Sequence, residues 1–335
     1  MTIIERLETV LDHFDRHRLL VLGDVILDEY LLGSAERLSP EAPVPIVQIE
    51  SEDAVLGGAG NVARNVVALG ARCDLVAVVG NDEAGRRVQD LARKTGLLTE
   101  GLVVDAARPT SHKTRVLARA QQMIRFDRES TEPLGVAVLD RVLESLVQFA
   151  PGASGALLVD YGKGTLSSDL SRRSVQVLSA QGVPIAADPK NDLDPLRGVA
   201  LIKPNLAEAE ILTGVSLGEG PVDGSPLFGR LSEALPGTDI VVTCGRSGMV
   251  VQAAGAMPRS VPTWPRDVFD VQGAGDTSLA SLWLATLSGA TLEESAMIAN
   301  AAAGVVVGKV GTAVANREEI RARLPQAVAA FEEGE

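Results

Sequence analysis

The segment that carries the most chemical information is Gly273-Ala274-Gly275-Asp276, which precedes a helical pattern rich in Ala and Leu. Small residues let a backbone approach a ligand closely, and the first amides of a helix are free to bind an anion. A carboxylate beside that anion can accept the proton of an attacking hydroxyl while the amides stabilise a transferring phosphoryl group. Taken alone, the segment favours a plainer interpretation, in which Asp276 is an N-cap and the glycines form a turn.

A second Gly-rich turn contains Thr243, Gly245 and Gly248 and directly follows the apolar run 240–242. Such a turn at the carboxyl end of a buried strand is a common position for nucleotide phosphates, although a simple hairpin turn also explains it. The sequence contains no Gly-x-x-x-x-Gly-Lys-Ser/Thr phosphate loop. It also lacks a Gly-x-Gly-x-x-Gly dinucleotide pattern between a strand and a helix.

Asn205 and Glu208 stand three residues apart at the start of a predicted helix. This spacing is typical of a capping box, in which each side chain satisfies a free backbone amide. The same oxygens are also the kind of ligand that Mg²⁺ and its waters prefer. Both interpretations stay open at this point.

A third glycine turn, with Gly57, Gly58 and Asn61, leads into a helix of small residues, and Asp24 lies on the first predicted strand. Carboxylates and amides are suited to hydrogen bonds with the vicinal hydroxyls of a sugar. A tight strand-to-helix turn explains the glycines equally well.

Several cations stand near predicted strand ends or in segments of alternating polarity: Lys163, Lys190, Lys113, Arg115, Arg119 and Arg125. Solvated surface charge is the ordinary interpretation of each one. Together they could form the positive cleft that a phosphorylated ligand needs.

These motifs need a scaffold, and the chain alternates strand and helix patterns over most of its length. Strand patterns cover 19–25, 73–79, 155–160, 183–188, 199–203 and 239–244. Helical patterns cover 3–17, 57–70, 82–95, 135–149, 168–181, 206–213, 274–288, 292–308 and 317–331. This alternation predicts an α/β fold with a doubly wound, mostly parallel sheet and helices on both faces.

Two segments, about 30–52 and 101–129, interrupt the alternation. Their period-two patterns predict antiparallel strands of one small accessory sheet, inserted into a single domain over 1–335. The turn-rich stretch 217–226 predicts a surface loop, and 268–271 predicts a short extended run before the first motif.

Composition narrows the possible partners. The formal net charge of −13 argues against nonspecific nucleic-acid binding, which needs clustered Lys and Arg. No apolar stretch reaches the roughly 20 uncharged residues of a membrane span. The two cysteines lie far apart, the three histidines have no metal spacing, and the N-terminus does not resemble a signal peptide. A cytoplasmic protein without a membrane or nucleic-acid partner is expected.

The order and spacing of four motifs resemble the ribokinase-like (PfkB) family of carbohydrate kinases over nearly the whole chain. The four are Gly57-Gly58-x-x-Asn61, Asn205-x-x-Glu208, Thr243-x-Gly245-x-x-Gly248 and Gly273-Ala274-Gly275-Asp276. One match would mean little, but four in order are specific. Segments 22–28, 37–45, 116–122, 160–164, 188–190 and 301–312 resemble one branch, the D-glycero-β-D-manno-heptose-7-phosphate kinases.

The resemblance implies ATP-dependent phosphorylation of the anomeric O1 of heptose 7-phosphate, with Asp276 as the general base. The amides of Gly273, Ala274 and Gly275 would form an anion hole, and Asn205 and Glu208 would act through Mg²⁺. The ATP site would be lined by Thr243, Gly245, Gly248 and Asn300.

The resemblance also implies a substrate site and a partner. The sugar would be held by Asp24, Gly57, Gly58 and Asn61, and its 7-phosphate by cations from the set Lys113, Arg119, Lys163 and Lys190. A monovalent cation such as K⁺ would bind at Asp270 and the 309–311 backbone. The accessory sheet would be a β lid that pairs with a second subunit in a homodimer.

The sequence departs from that branch at a few positions. Cys244 and Gly245 stand where many members have Arg and Ser, residue 162 is Gly rather than Ala, and Gln272 replaces a frequent Thr or Ser. Another sugar, sugar-phosphate or nucleoside kinase of the same fold is therefore the alternative. A non-catalytic nucleotide- or sugar-binding protein is a second one, against which the intact Asp276 argues. No His-x-Gly-His stretch of an appended nucleotidyltransferase occurs, so kinase activity alone is expected.

Overall fold

The computed structural model describes residues 1–119, 121–217, 222, 226–264, 270–309 and 311–334. Its strands are β1 Arg18–Gly23, β2 Val25–Leu38, β3 Pro45–Gly58, β4 Arg72–Gly80, β5 Leu102–Asp105, β6 Ser111–Ala118, β7 Gln121–Arg128, β8 Gly155–Val159, β9 Ile185–Asp188, β10 Leu201–Ile202, β11 Asp239–Thr243, β12 Met249–Gln252 and β13 Arg259–Val261. The predicted extended run at 268–271 lies partly outside the described residues, as does most of the predicted loop 217–226.

The helices are α1 Ile3–Asp12, α2 Ala59–Ala68, α3 Glu83–Lys94, α4 Val136–Phe149, α5 Ser168–Ala180, α6 Leu206–Thr213, α7 Pro226–Ala234, α8 Ala274–Leu287, α9 Leu292–Val306, α10 Arg317–Arg321 and α11 Leu324–Gly334. The helix predicted over 3–17 ends at Asp12 and continues as a 3₁₀ turn. The helix predicted over 317–331 is two helices. The first break has no proline or glycine at the junction, whereas Pro325, the second residue of α11, marks the second one. No described helix is long and apolar enough to cross a bilayer.

The main sheet has the order β13-β12-β11-β10-β9-β8-β1-β4-β5 across the described strands. Every pairing from β11 to β5 is parallel, whereas β12 and β13 add an antiparallel edge. Strands such as β1, β4 and β8 are almost wholly buried because helices cover both faces. Their Val, Leu and Ala runs suit that position, and the predicted fold class is confirmed.

The second sheet is the β lid, formed by β2, β3, β6 and β7 in the order β3-β2-β6-β7. Three details differ from the prediction. The lid strands begin at Val25 and end at Gly58, well beyond 30–52, because β2 and β3 pair along their full length. Strand β5 belongs to the main sheet. The lid is also not purely antiparallel, since β2 and β6 run parallel. The single-domain assignment stays a prediction.

The helices form two layers around the main sheet. Trp283 of α8 and Met297 of α9 pack with α2, α1 and α11 in one apolar core. Leu146 of α4 and Phe228 of α7 lie in the other core, with α5. In such a sheet, ligands bind at the carboxyl ends of the strands, and the segments after β1, β8, β9, β10 and β11 carry many of the predicted site residues.

Candidate active site

Helix α8 begins at the motif that was predicted to carry the chemistry. Gly273 is its N-cap, with a left-handed φ of 76°, and Asp276 is the third helical residue. The N-cap interpretation of Asp276 is therefore wrong, and its side chain makes no capping hydrogen bond. Its carboxylate instead contacts side chains of two other elements.

Asp276 is 7% exposed and accepts hydrogen bonds on both oxygens. Asn61 of α2 donates to Oδ2 at 2.7 Å, and the Tyr161 hydroxyl donates to Oδ1. Burial raises the pKa of Asp276 to about 6, although these two hydrogen bonds act in the opposite direction. A carboxylate with this pKa is mostly ionised at neutral pH and yet basic enough to accept a proton.

A buried polar network fixes α2 against α8. Thr277 Oγ1 donates to Asn65 Oδ1 at 2.8 Å, and Asn65 Nδ2 donates to the carbonyl of Asn61 at 2.9 Å. Gly273 lies against this network, because a Cβ there would stand 2.8 Å from Asn61 Nδ2. The glycine is thus required twice, for its left-handed φ and for its contact with the residue that holds Asp276.

A cleft of about 560 Å³ opens at the N-terminus of α8. That volume suits a nucleotide-sized ligand. Its lining joins residues from β11, the following turn, α8 and α9: Thr243, Gly245, Arg246, Gly248, Met249, Thr263, Trp264, Val271, Ala274, Gly275, Ser278, Asn300, Ala303 and Val307. The four residues predicted to line an ATP site thus share one cleft with two residues of the predicted anion hole.

Two predicted residues at the border of this cleft have backbone partners. Asn300 is buried and its amide donates to the carbonyls of Val261 and Pro262 at 3.0 and 3.2 Å, so it anchors the end of β13. Asp270 accepts from the backbone amides of Gln272 and Gly311 at 2.9 and 3.2 Å. Asp270 thus contacts the 309–311 segment, where a monovalent cation was predicted to bind. Residue 310 of that segment is not among the residues that the structure describes.

Asn205 and Glu208 form a complete capping box at the start of α6. Asn205 Oδ1 accepts from the Glu208 amide at 2.9 Å, and Glu208 Oε2 accepts from the Asn205 amide at 3.0 Å. Lys190 Nζ lies 2.7 Å from Glu208 Oε1, although Lys190 was predicted to meet the sugar phosphate. A backbone bridge between Asn205 and Thr243 sets the box beside the cleft.

A buried ion pair joins Lys203 to Asp188, 3.2 Å apart, at the ends of β10 and β9. Burial raises the pKa of Asp188 against the lowering effect of Lys203, and the Glu208 carboxylate adds to the rise. Asp188 at the end of β9 and Glu208 in the first turn of α6 carry carboxylate oxygens, the donor type that suits Mg²⁺.

Asp24 organises a loop. It is 1% exposed and accepts from the backbone amides of Tyr161, Lys163 and Thr165 at 2.9, 3.0 and 3.0 Å. These bonds fix the segment after β8, which presents Tyr161 to Asp276. The predicted contact of Asp24 with a sugar hydroxyl stays a prediction, and its carboxylate already has three donors.

The chain was compared with models of known protein families. The model of the pfkB family of carbohydrate kinases matches residues 16–319. The chain belongs to this family. The predicted family and the predicted class of enzyme, a carbohydrate kinase, are thereby confirmed.

Relatives of this carbohydrate kinase include the bifunctional protein HldE of Paramagnetospirillum magneticum, 42% identical over 302 residues, which are 90% of this chain and 62% of the relative. The bifunctional protein HldE of Geobacter sulfurreducens is 40% identical over 319 residues, 94% of this chain and 64% of that protein. The chain therefore spans somewhat less than two thirds of the relatives that it matches.

Solved structures share the fold of this kinase. An Arabidopsis thaliana ribokinase complexed with ribose and ATP has a TM-score of 0.72 at 20% identity, covering 92% of this chain and 98% of the other. Escherichia coli phosphofructokinase-2 in complex with potassium has a TM-score of 0.74 at 17% identity, covering 93% and 99%. At these identities the likeness shows the fold alone.

Sequence reasoning missed one acid of this kinase, Asp28 on β2. It is 6% exposed, and its Oδ1 accepts from Arg115 Nη1 at 2.6 Å. A Cβ on Gly57 would stand 2.0 Å from Asp28 Oδ2, so the glycine makes room for this carboxylate. Arg115 also lies over the Tyr30 ring, whose hydroxyl is 3.0 Å from the Gln272 amide. The sequence signal that could have identified Asp28 was its position directly after the apolar run 25–27.

The predicted phosphate cations separate into two groups. Lys113 and Lys163 converge on Glu129, at 3.3 and 2.7 Å, and Lys113 also pairs with Asp127 at 3.0 Å. Arg119 is 74% exposed on the lid and pairs with Glu36 at 3.2 Å. The structure thus brings together Lys113 and Lys163, while Lys190 and Arg119 lie in other ion pairs.

Proposed function

We propose that this chain phosphorylates the anomeric O1 hydroxyl of D-glycero-β-D-manno-heptose 7-phosphate with ATP, giving the 1,7-bisphosphate and ADP. The observation that carries the proposal is the position of Asp276. Its carboxylate is buried next to the cleft that holds the predicted ATP residues, and it also contacts Asn61, a predicted sugar residue. The HldE relatives and the heptose-kinase motifs support this substrate over other sugars.

In the proposed mechanism, Asp276 accepts the O1 proton while O1 forms a bond to the γ-phosphorus of ATP. The bond from that phosphorus to the β–γ bridging oxygen breaks, and ADP leaves with that oxygen. The Gly273 and Gly275 amides at the start of α8 would stabilise charge on the transferring phosphoryl group, whereas the Ala274 amide donates to the Val271 carbonyl at 3.3 Å. A pKa of about 6 makes Asp276 ionised before the reaction and able to hold the proton after it.

Mg²⁺ and K⁺ are the expected ions. Glu208 and Asp188, with Asn205, would hold Mg²⁺ largely through water, since the Glu208 oxygens already have two donors. Bound Mg²⁺ would neutralise charge on the ATP phosphates. Asp270 would hold a monovalent cation with the backbone of the 309–311 segment.

Lys113 and Lys163 are the cations proposed to meet the 7-phosphate. Their present partners, Asp127 and Glu129, hold the two ammonium groups close to one another. The backbone amide of Lys163 donates to Asp24 in the same loop that carries Tyr161, and this shared loop supports a role for Lys163 near the base. A phosphate group would then compete with the two carboxylates for the lysines.

The homodimer is also part of the proposal, with the β lids of two subunits in contact. All eight residues of β7 are exposed, and Ile124 and Phe126 are 56% and 53% exposed.

ATP is a cytoplasmic cosubstrate, so a cytoplasmic location is expected.

A substrate panel tests the proposal. Heptose 7-phosphate, fructose 6-phosphate, ribose, fructose and adenosine are compared for ADP release, and ³¹P NMR locates the new phosphate. Heptose 7-phosphate should give the highest kcat/KM and an anomeric phosphate. A clear preference for an unphosphorylated sugar or nucleoside would support another kinase of the fold. ATP binding without turnover of any acceptor would support a binding protein.

A further inference from the structure

We propose that Tyr161 is a positioning residue that, together with Asn61, clamps the Asp276 carboxylate in one orientation and keeps it ready to accept a proton. The inference rests on the proposed function of Asp276 as the base. It adds a residue that none of the four family motifs contains.

The two donors reach Asp276 from different elements. Tyr161 follows β8 and donates its hydroxyl hydrogen to Oδ1, whereas Asn61 on α2 donates to Oδ2. With one donor on each oxygen, the carboxylate cannot rotate without losing a hydrogen bond. An ionised carboxylate has about four lone-pair sites, so each oxygen can still accept from a sugar hydroxyl.

The loop that carries Tyr161 is itself held rigidly. Asp24 accepts from the backbone amides of Tyr161, Lys163 and Thr165, and Asp160 Oδ1 accepts from the Gly162 amide at 2.7 Å. The phenol is therefore delivered to Asp276 by a fixed backbone. This assigns Asp24 an indirect role in catalysis through the position of Tyr161.

The Tyr161 hydroxyl can act only as a donor towards Asp276. Burial and the neighbouring Asp276 charge raise the pKa of Tyr161 well above its ordinary value, so the phenol keeps its proton. The ionised form of Asp276 accepts this hydrogen bond more strongly than the protonated form does. Loss of the hydroxyl therefore raises the pKa of Asp276 above about 6.

Tyr161→Phe keeps the ring and removes the hydroxyl. We expect kcat to fall about 10- to 100-fold near neutral pH, with little change in KM for ATP. The acid limb of the kcat/KM profile should move up by about one pH unit, so that part of the loss is recovered at higher pH. A packing defect would lower activity equally at all pH values.

Tyr30→Phe is the matched control, since it removes the other tyrosine hydroxyl of the chain, which does not contact Asp276. It should leave the acid limb in place, whatever it does to substrate affinity. In this background, 3-fluorotyrosine incorporation alters Tyr161 alone and makes it a stronger donor. The acid limb of the kcat/KM profile should then move to lower pH.

Direct titration separates this inference from the proposed function. The ¹³C carboxyl signal of Asp276, identified by its loss in Asp276→Asn, should titrate at higher pH in Tyr161→Phe than in the parent chain. An unchanged titration, or an unmoved acid limb, would overturn the inference even if the kinase reaction is established. A shifted titration in a chain that phosphorylates no sugar of the panel would support the clamp and contradict the proposed function.

Discussion

At the residue scale, the chain keeps a carboxylate in a place where ionisation is costly. Asp276 is buried beside the polar atoms of Asn61 and Tyr161, and its pKa is raised mainly by burial. Such a group stabilises the folded state in its protonated form and destabilises it once ionised. The proposed base therefore lowers the stability of the fold at the pH where it would work.

Asp276→Asn should stabilise the protein at pH 8. With a folded pKa of about 6 and an ordinary value of 3.8, the stability that Asp276 contributes is full below pH 3.8 and lost as the pH rises through 6. The amide removes a penalty of roughly 3 kcal/mol at pH 8, and about half of that at pH 5. Urea unfolding at the two pH values measures the difference.

Asp194→Asn is the control for that measurement. Hydrogen bonds from Arg197 and Arg172 lower the pKa of Asp194, so its titration lies below 3.8. The effect of this variant should be constant between pH 8 and pH 5. A stability gain of Asp276→Asn that did not shrink towards pH 5 would contradict the raised pKa.

Residue types and spacing predicted which residues meet at the candidate site better than which contacts they make. The glycines and Asp276 were identified from order along the chain, and Asn61 was placed with the sugar residues. The contact between Tyr161 and Asp276 joins residues 115 positions apart, and no local sequence pattern predicts it. The same is true of Arg115 and Asp28, which meet only because β2 and β6 pair in parallel.

At the element scale, the start of α8 holds two glycines with opposite requirements. Gly273 has a left-handed φ and lies against Asn61, whereas Gly275 is helical and a Cβ there would meet no heavy atom within 4 Å. The β–α alternation predicted this helix to within one residue at its end. It placed the lid strands less well, because their long pairing continues past the segments where the sequence pattern is clearest.

Gly273→Ala should destabilise the fold by about 1–2 kcal/mol, because an alanine there adopts a left-handed φ. It should also lower kcat at least 100-fold, since the new methyl group displaces Asn61 from Asp276. Thermal unfolding and steady-state kinetics measure the two effects.

Gly275→Ala is the matched variant in the same turn. It should raise stability by roughly 0.5 kcal/mol, since alanine is the better helix former. It should weaken ATP binding, because the methyl group faces the proposed phosphate site. Equal destabilisation by the two variants would contradict the structure of the helix start.

At the scale of the whole molecule, the lid is a four-stranded sheet in the described chain, with an exposed edge strand β7. An exposed edge with apolar side chains is unusual in a protein that stays monomeric. The fold class could be predicted because buried parallel strands read as aliphatic runs. The Gly-rich turn after β11 indicated the antiparallel hairpin that β11 and β12 form at the sheet edge. The parallel pairing of β2 and β6 in the lid could not be predicted, because it joins segments far apart in sequence.

Phe126→Lys should convert the proposed dimer into a monomer, because it places a charge in the centre of the β7 surface. Light scattering at micromolar concentration measures the mass. Ile211→Lys is the control, since Ile211 is 70% exposed on α6, outside the lid. A parent chain that is monomeric under these conditions would contradict the lid dimer.

The most direct test of the account is the rate of phosphoryl transfer by Asp276→Asn. Wild type and variant are compared with ATP and heptose 7-phosphate, and ATP affinity is measured separately by calorimetry. The account predicts a loss in kcat of about 10³-fold or more with ATP affinity retained, because the base acts in the transition state. A variant that binds ATP and keeps full kinase activity would contradict the account.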